Sequence, residues 1–322
     1  MEGGSHSTRG LAYHPGMEKK HRHQGKHGKA PPMPRADANR GNAKKATHWG
    51  EVAEWYDALV GEEGSEYHRE VILPGIMRML GLKGDETKVL HVVDLACGQG
   101  VLCRKLAAAG CAVVGIDAAA GLIEAARRRN ERDGLPIKYL VADATKLVTE
   151  DGTLAVGLQA NTFDAVAVVL AIQNITPLSP VWQACRLLLK DGGMLIVVMM
   201  HPAFRVPRQS DWIWQTDPEG KEAQGRVTRQ YLGSSRIDIQ THPGLAAHGK
   251  AGGEVTTPHF HRPLQAYVNT MGNAGLLIDH IEEWASHKTS ESGPRKAALD
   301  LARKEIPMFL ALRARKVSGN YL

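Results

Sequence analysis

The segment 88–117 limits what this chain can fold into more than any other part of the sequence. It begins with a nearly continuous apolar run, 89–93, which ends in the carboxylate Asp94 and a glycine-rich turn at 98–100. A helical pattern of apolar residues follows, and then a second apolar run that ends in Asp117. A buried strand, a glycine turn, a helix and a second buried strand ending in an acid are typical of a nucleotide-binding βαβ unit.

The charges of this segment indicate which nucleotide it binds. A dinucleotide site has the pattern G-x-G-x-x-G, but Cys103 occupies the third glycine position here. Asp94 would also repel a pyrophosphate at the helix N-terminus. S-adenosylmethionine has no phosphate, and a buried carboxylate attracts its sulfonium and ammonium cations, at about 4 kcal/mol per pair at intermediate dielectric. Asp117 has the spacing of an acid that accepts both ribose hydroxyls. The alternative is an ordinary βαβ unit with a tight turn.

Further motifs make the chain resemble the class I S-adenosylmethionine-dependent methyltransferases, especially their ubiquinone/menaquinone-biosynthesis-like branch. The resemblance covers roughly residues 49–315, and one departure from it is Ala96, where the family more often has glycine. Its motifs are Asp94-Leu-Ala-Cys-Gly98-Gln-Gly100, Val114-Gly-Ile-Asp117, Ala142-Asp143-Ala144, Phe163-Asp164-Ala-Val and Leu187-Leu-Leu-Lys-Asp-Gly192-Gly193. It implies an α/β fold, a Rossmann-like three-layer αβα sandwich with a seven-stranded, mostly parallel sheet. The implied strand order is 3-2-1-4-5-7-6, with the last strand antiparallel.

The charges and the resemblance together predict the contacts of the cofactor, S-adenosylmethionine. Asp143 can accept the adenine amino group and the Ala144 amide can bond a ring nitrogen, although an Asp in this position also caps helices. Leu122 packs against the adenine or in the core, and Tyr56 lies near the methionine carboxylate or in the core. The predicted cofactor-binding residues are Tyr56, Asp94, Ala96, Gly98, Gly100, Asp117, Ala118, Leu122, Asp143, Ala144 and Leu170.

The charge of the chain is concentrated near its N-terminus. Residues 1–47 hold ten Lys or Arg and three acids, so a net charge of +6 for the 322 residues leaves the remainder at −1. We expect 1–47 to be a disordered, basic, His-rich tail and 48–322 to be the methyltransferase domain. A nearly neutral domain argues against a large nucleic-acid-binding face. His21, His23 and His27 could bind a transition metal loosely, but no metal site is predicted.

Cysteine usage and hydropathy predict the compartment. The cysteines form no C-x-x-C pair, and each lies on or beside a predicted core element, at positions 97, 103, 111 and 185. Buried thiols favour a reducing, cytoplasmic setting. There is no run of 18 apolar residues and no apolar N-terminal region, so we expect neither a membrane span nor a secretory signal. The oligomeric state does not follow from the sequence.

Hydrophobic periodicity predicts alternating strands and helices after the tail. The predicted strands are 89–94, 112–116, 137–141, 163–169, 194–200, 276–284 and 306–313. The predicted helices are 66–80, 99–109, 118–132, 179–189, 263–274 and 294–304. Between them, 201–262 is expected to be an irregular insert that acts as a lid on the substrate side.

The insert carries the candidate catalytic residues, because it leaves the carboxyl end of strand 5 beside the transferable methyl group. His201 is placed to take a proton from the acceptor, and His261 is the second candidate. Arginines can hold an anionic group, and Trp212 and Trp214 can stack on a planar ring. The predicted acceptor-binding residues are Gln173, Arg205, Arg208 and Trp212. The alternative is a lid packed by tryptophans, with solvated arginines.

These patterns predict a methyltransferase for a small-molecule acceptor, aromatic or anionic, with O-, N- or C-methylation left open. Strand 4 is followed by 170–175, which lacks the Asn/Asp-Pro-Pro-aromatic motif of amino-methylating enzymes. Cys185 lies in a helix and lacks the Pro-Cys context of a cytosine-methylating nucleophile. Two alternatives remain open: an RNA or protein methyltransferase recruited by the basic tail, and a non-catalytic S-adenosylmethionine-binding protein.

Overall fold

A computed structural model describes residues 60–82, 88–216, 218–240 and 256–318. Within them the strands are β1 His91–Leu95, β2 Ala112–Asp117, β3 Ile137–Val141, β4 Phe163–Val169, β5 Leu189–Met200, β6 Ser210–Thr216, β7 Glu222–Thr228, β8 Ser235–Gln240, β9 Thr256–His261, β10 Leu276–Trp284 and β11 Phe309–Lys316. The helices are α1 Leu73–Leu80, α2 Val101–Ala108, α3 Ala120–Asp133, α4 Ser179–Leu188, α5 Leu264–Asn273 and α6 Lys296–Glu305. A π-helical turn, His68–Ile72, leads into α1.

Seven of these strands form one sheet in the order β3-β2-β1-β4-β5-β11-β10. The pairs from β3 to β5 are parallel, whereas β11 is antiparallel to both β5 and β10. The order 3-2-1-4-5-7-6 with an antiparallel last strand is thereby confirmed. Since parallel strands end at the same edge of a sheet, the segments that follow β1 to β4 meet at one edge.

The central strands are buried on both faces, and this explains their apolar composition. Val92 belongs to a hydrophobic cluster with α1, α2 and α3, whereas its neighbour Val93 belongs to a cluster with α4 and α5. Successive strand residues point to opposite faces, so each strand contributes to both clusters. The result is the expected three-layer αβα sandwich.

The predicted bounds of β3, β4 and β10 agree with the structure, and most other elements shift by a few residues. The largest shift in the sheet is at β5, which starts at Leu189 instead of 194. Phe163 pairs with Leu189, but Ala165 pairs with Met194, so a register irregularity extends the strand backwards. Leu189 is fully buried, which explains why this segment joins the sheet.

The prediction of an irregular insert at 201–262 is wrong. The insert contains two antiparallel pairs, β6 with β7 and β8 with β9. Pro and Gly within this stretch hide its strand pattern. The predictions for 1–47 and for Tyr56 lie outside the described residues. Among the described residues, no helix has the length and apolar character needed to cross a membrane.

Candidate active site

A cavity of about 410 Å³ lies at the carboxyl edge of the sheet. The strand order brings to its wall the residues that follow β1, β2, β3 and β4. Nine of the predicted cofactor-binding residues line it: Asp94, Ala96, Gly98, Asp117, Ala118, Leu122, Asp143, Ala144 and Leu170. Three of these nine are acids from three adjacent strands, so the cavity is acidic on the side of β1 to β3.

Asp94 is the most buried of these acids, with 2% of its surface exposed. Its Oδ2 accepts a hydrogen bond from the Cys103 thiol at 3.1 Å. Burial raises the pKa of Asp94 to about 7, and the negative charge of Asp117 acts in the same direction. The bond from Cys103 opposes this rise in pKa. A cation brought close to Asp94 would therefore favour its ionised form.

Backbone amides hold Asp117 in place at the end of β2. Its Oδ2 accepts from the Gly98 amide at 2.8 Å, and its Oδ1 accepts from the Ala119 amide at 2.8 Å. Burial raises the pKa of this carboxyl, while the amide bonds act to lower it. Asp117 thus links the glycine turn to β2, and its remaining lone pairs are available to hydroxyl donors.

The turn after β1 has three residues with positive φ. Gly98 has a φ of 55° and Gly100 of 79°, and Ala96, where the family more often has glycine, has 61°. Gly100 is not on the cavity wall, which corrects its prediction as a cofactor contact. A Cβ at Gly100 would lie 2.3 Å from the Tyr139 hydroxyl. The glycine is therefore required for packing against β3.

Asp143 combines the two roles that its position allowed. Its Oδ1 accepts from the amide and the hydroxyl of Thr145, at 2.9 and 2.8 Å, and so caps the short 3₁₀ helix Ala144–Lys146. Asp143 also lines the cavity. The cap engages Oδ1, whereas Oδ2 lies 3.9 Å from the ammonium group of the exposed Lys146 side chain.

His201, the predicted general base, does not line the cavity. The residue is 4% exposed, and its Nε2 lies 2.7 Å from Oε1 of Glu283 on β10. Its Nδ1 accepts from the Ala203 amide, and burial lowers the pKa of the imidazole. The His201 amide donates to the Met308 carbonyl, beside β11. The chain after β5 is thus held against β10 and β11, on the other side of β5 from β4.

His261 also lies away from the cavity wall. It is 3% exposed, and its Nε2 donates to the Tyr231 carbonyl at 2.8 Å. Its neighbours Pro258 and Phe260 do line the cavity. Side chains alternate along a strand, so β9 presents one set of residues to the cavity and buries the other. The sequence identified the correct segment but the wrong face of it.

None of the four predicted acceptor-binding residues lines the cavity. The guanidinium groups of Arg205 and Arg226 lie 5.3 and 4.9 Å from the ring centre of Trp212. Burial, together with the charge of Arg226, lowers the pKa of Arg205 to about 10. Arg208 donates to the Asp238 carbonyl, and buried Gln173 donates to the Leu170 carbonyl. Arg205 and Trp212 therefore fit the alternative of a packed insert.

The sequence predicts that Gln173 and Asn174 face the cleft or are ordinary polar loop residues, and of the two Asn174 lines the cavity. Asn174, which follows β4, donates to the Pro258 carbonyl at 2.7 Å and ties β9 to the wall. The sequence did not predict several other residues of this wall. Arg236 on β8 and Phe260 on β9 lie on the same side. His68, in the π-helical turn, faces the cavity from the segment before α1. The strand alternation of 256–261 is the one sequence signal that indicates part of this wall. Across the described residues, no group of three or more His, Cys, Asp or Glu could hold a metal ion.

Comparisons with known proteins agree with this geometry. Residues 93–197 match the family described as a methyltransferase domain. The ubiquinone biosynthesis O-methyltransferase of Dinoroseobacter shibae is 31% identical over 152 residues, which are 45% of this chain and 58% of that protein. The enzyme of the same name from Xanthomonas axonopodis pv. citri is 32% identical over 111 residues, which are 34% and 43% of the two chains. The chain thus spans about half the length of these curated relatives.

Solved structures are similar over more of the chain. An S-adenosylmethionine-dependent methyltransferase from Mesorhizobium loti is 25% identical, with a TM-score of 0.51, over 76% of this chain and 99% of that one. A structure from Listeria monocytogenes, at 21% identity and a TM-score of 0.51, shares the fold. The domain match over residues 93–197, the sheet order and the similarity to the Mesorhizobium loti structure support a class I S-adenosylmethionine-dependent methyltransferase.

The cavity fits S-adenosylmethionine, the cofactor of this class. Its acidic side offers carboxylates to the ammonium group, the ribose hydroxyls and the adenine amino group, through Asp94, Asp117 and Asp143. The positive φ of Gly98 bends the chain around the cavity and gives Asp117 an amide donor. Leu122 and Leu170 add apolar surface to the wall of the same cavity.

Proposed function

We propose that this chain transfers the methyl group of S-adenosylmethionine to a small-molecule acceptor. The observation that carries the proposal is the wall of the cavity, which combines acids at the ends of three adjacent strands with residues from β8 and β9. Acids suit the donor, which carries two cations. The residues from β8 and β9 include an arginine and an aromatic ring, which suit an acceptor of different chemistry.

In this reaction the donor supplies an electrophilic methyl group, and the protein mainly aligns the two reactants. Asp94 attracts the ammonium group of the donor, Asp117 accepts its ribose hydroxyls, and Asp143 accepts its adenine amino group. The cavity would hold the donor at the sheet edge, where Val169 and Leu170 at the end of β4 also line it. Asn174 supports the acceptor side by holding β9 at this edge.

An aromatic or anionic acceptor is supported by β8 and β9. Phe260 offers a ring for stacking, and Arg236 offers a guanidinium group that is 56% exposed. The Nε of Arg236 donates to Asp238 at 3.1 Å, which holds the side chain in place. The names of the relatives, O-methyltransferases of ubiquinone biosynthesis, support an oxygen as the acceptor atom. The cysteines are thiols at all four positions, which supports a cytoplasmic setting.

Binding and transfer test the proposal separately. Calorimetry is expected to give tight binding of S-adenosylhomocysteine and no comparable binding of NAD. Asp117→Ala should weaken this binding by about 1.5–3 kcal/mol per lost charged hydrogen bond, with the protein still folded. Asp117→Asn is the matched control, because it keeps an oxygen acceptor. Tighter binding of NAD than of the adenosyl ligand would overturn the choice of cofactor.

Radiolabelled donor then identifies the acceptor. The protein is incubated with labelled S-adenosylmethionine and with a metabolite library, total RNA or total protein in parallel. Label is expected in the metabolite library alone. Transfer to RNA or protein alone would contradict the small-molecule acceptor while leaving the methyltransferase assignment intact. Tight donor binding without transfer to any of the three would favour a non-catalytic binding protein.

A further inference from the structure

His68 lies on the cavity wall, and contacts with Ser65 fix the orientation of its ring. The Ser65 amide donates to Nδ1 of His68 at 3.2 Å, and the Ser65 hydroxyl lies 2.8 Å from the same nitrogen. An amide can only donate, so Nδ1 must be the unprotonated acceptor. Burial lowers the pKa of His68, which keeps the ring neutral. The proton of the neutral ring is therefore on Nε2, and the nitrogen left for the cavity is a donor.

The segment around His68 is packed over the turn that follows β1. A Cβ at Gly64 would lie 2.7 Å from the Cβ of His68 and 3.0 Å from Cγ1 of Val101. Only a glycine there lets the histidine sit against the start of α2, and Gly64 has a φ of 84°. Gln99 in the turn donates to the Gly61 carbonyl at 2.9 Å, which ties the two segments together. His68 is thus held beside the turn and close to the end of β1, where Asp94 lies.

The donor has one group that the acids of the cavity cannot bind. Its methionine part carries a carboxylate, which Asp94, Asp117 and Asp143 would repel. The carboxylate and the ammonium group are attached to the same carbon atom. A residue that binds the carboxylate must therefore lie close to the residue that binds the ammonium group. Asp94, to which the ammonium group is assigned, lies directly before the turn against which the segment of His68 packs, and both residues line the cavity, so His68 is near the required position.

We propose that His68 binds the carboxylate of the methionine part of S-adenosylmethionine through its Nε2 hydrogen, with Ser65 and Gly64 as the residues that position it. This assignment rests on the proposed function, since it takes the donor as given. It makes His68 a donor-binding residue and not a proton acceptor, because its free nitrogen already carries hydrogen. The prediction for Tyr56 is independent of it, since a carboxylate accepts several hydrogen bonds.

Two ligands that differ by the carboxylate alone provide the test. Decarboxylated S-adenosylmethionine keeps the sulfonium and the ammonium group, and S-adenosylmethionine has the carboxylate in addition. The dissociation constants of both are measured by calorimetry for the wild-type protein, His68→Leu and His68→Gln. His91→Gln is the matched control, because His91 is exposed at the opposite end of β1. Melting temperatures show that each variant is folded.

The wild-type protein is expected to prefer the carboxylated ligand, and His68→Leu to lose that preference. The loss of one charged hydrogen bond corresponds to an affinity for S-adenosylmethionine about 10- to 100-fold weaker, with that of the decarboxylated ligand unchanged. His68→Gln keeps an N–H donor and should retain part of the preference. Equal weakening of both ligands, or of neither, would overturn the assignment. A wild-type protein that binds neither ligand would overturn the proposed function itself, and with it this assignment.

Discussion

At the scale of single residues, Asp94 couples the charge of the cavity to the donor. A carboxyl with a pKa near 7 carries its proton in about half of the free molecules at neutral pH. The ammonium group of the donor stabilises the ionised carboxylate, so binding releases this proton. The hydrogen bond from the Cys103 thiol favours the ionised form as well. Donor affinity should therefore depend on pH in a range where free Asp would be fully ionised.

We expect the affinity for S-adenosylhomocysteine to be constant above pH 7 and to fall by up to about tenfold per pH unit below it. The affinity falls toward low pH because the carboxyl of the free protein binds a proton there, and this proton must be released before the ammonium group of the ligand can bind. Above the pKa the carboxyl is already ionised, so the affinity no longer changes. Calorimetry between pH 5.5 and 8 measures this dependence. Asp94→Asn, which cannot titrate, should bind more weakly with a much flatter profile. A flat profile in the wild-type protein would contradict the role given to Asp94.

At the scale of elements, the two strand pairs of the insert have different roles. β6 and β7 carry Trp212 between two arginines, whereas β8 and β9 contribute Arg236 and Phe260 to the cavity wall. Both pairs have aromatic and cationic side chains, so composition does not distinguish them. Their positions distinguish them. β9 is held at the edge of the sheet, because its Pro258 carbonyl accepts a hydrogen bond from Asn174, which follows β4.

Variants of the second pair should affect the acceptor and not the donor. Phe260→Ala and Arg236→Gln are expected to raise the KM for an anionic aromatic acceptor about 10-fold or more, with the affinity for S-adenosylhomocysteine unchanged. Trp214→Ala on β6 is the matched control, since Trp214 stacks against Arg295 away from the wall. Steady-state kinetics with the identified acceptor measure the effect. Unchanged kinetics in both variants would exclude β8 and β9 from acceptor binding.

His201 follows β5 and contacts Glu283 on β10. Its replacement is expected to lower the free energy of unfolding and to leave the turnover number unchanged. His201→Ala loses the contact to Glu283 and leaves the Ala203 amide without its acceptor. We expect the free energy of unfolding to fall by about 1–3 kcal/mol. Chemical denaturation measures this change, and calorimetry should show unchanged donor affinity. A large loss of turnover with an unchanged free energy of unfolding would show that His201 takes part in the reaction.

At the scale of the whole molecule, the sheet and the cavity are built from residues between 60 and 318. The basic charge of the chain lies outside this range, within 1–47. The candidate donor site is therefore built from a nearly neutral part of the chain, and no role in it is assigned to the tail.

Removal of residues 1–47 is expected to leave donor affinity and methyl transfer to a small acceptor within about twofold of the full chain, a difference below 0.5 kcal/mol. Calorimetry and the labelled transfer assay on the same preparation measure both. Normal donor binding with complete loss of transfer would instead favour an RNA or protein acceptor recruited by the tail. A matched variant with its tail basic residues changed to glutamine separates the effect of charge from that of length.

The sequence by itself determined the strands of the sheet and the acids at their ends, whereas the strand order followed from the family resemblance. Asp94, Asp117 and Asp143 each follow an apolar run, and parallel strands end at a common edge whatever the details of packing. Local signals therefore sufficed to predict that these three acids converge. The glycine turn was recognisable for the same reason, because its conformation depends on neighbouring residues.

Only the tertiary structure decided the acceptor side. The position of His201 depends on β11, which enters the sheet between β5 and β10 from more than a hundred residues further along the chain. The choice between Phe260 and His261 depends on which face β9 turns toward the cavity, and a shift of one residue reverses it. The role of His68 depends on a π-helical turn and on Gly64 packing against Val101. These contacts join distant segments, so no local pattern in the sequence specifies them.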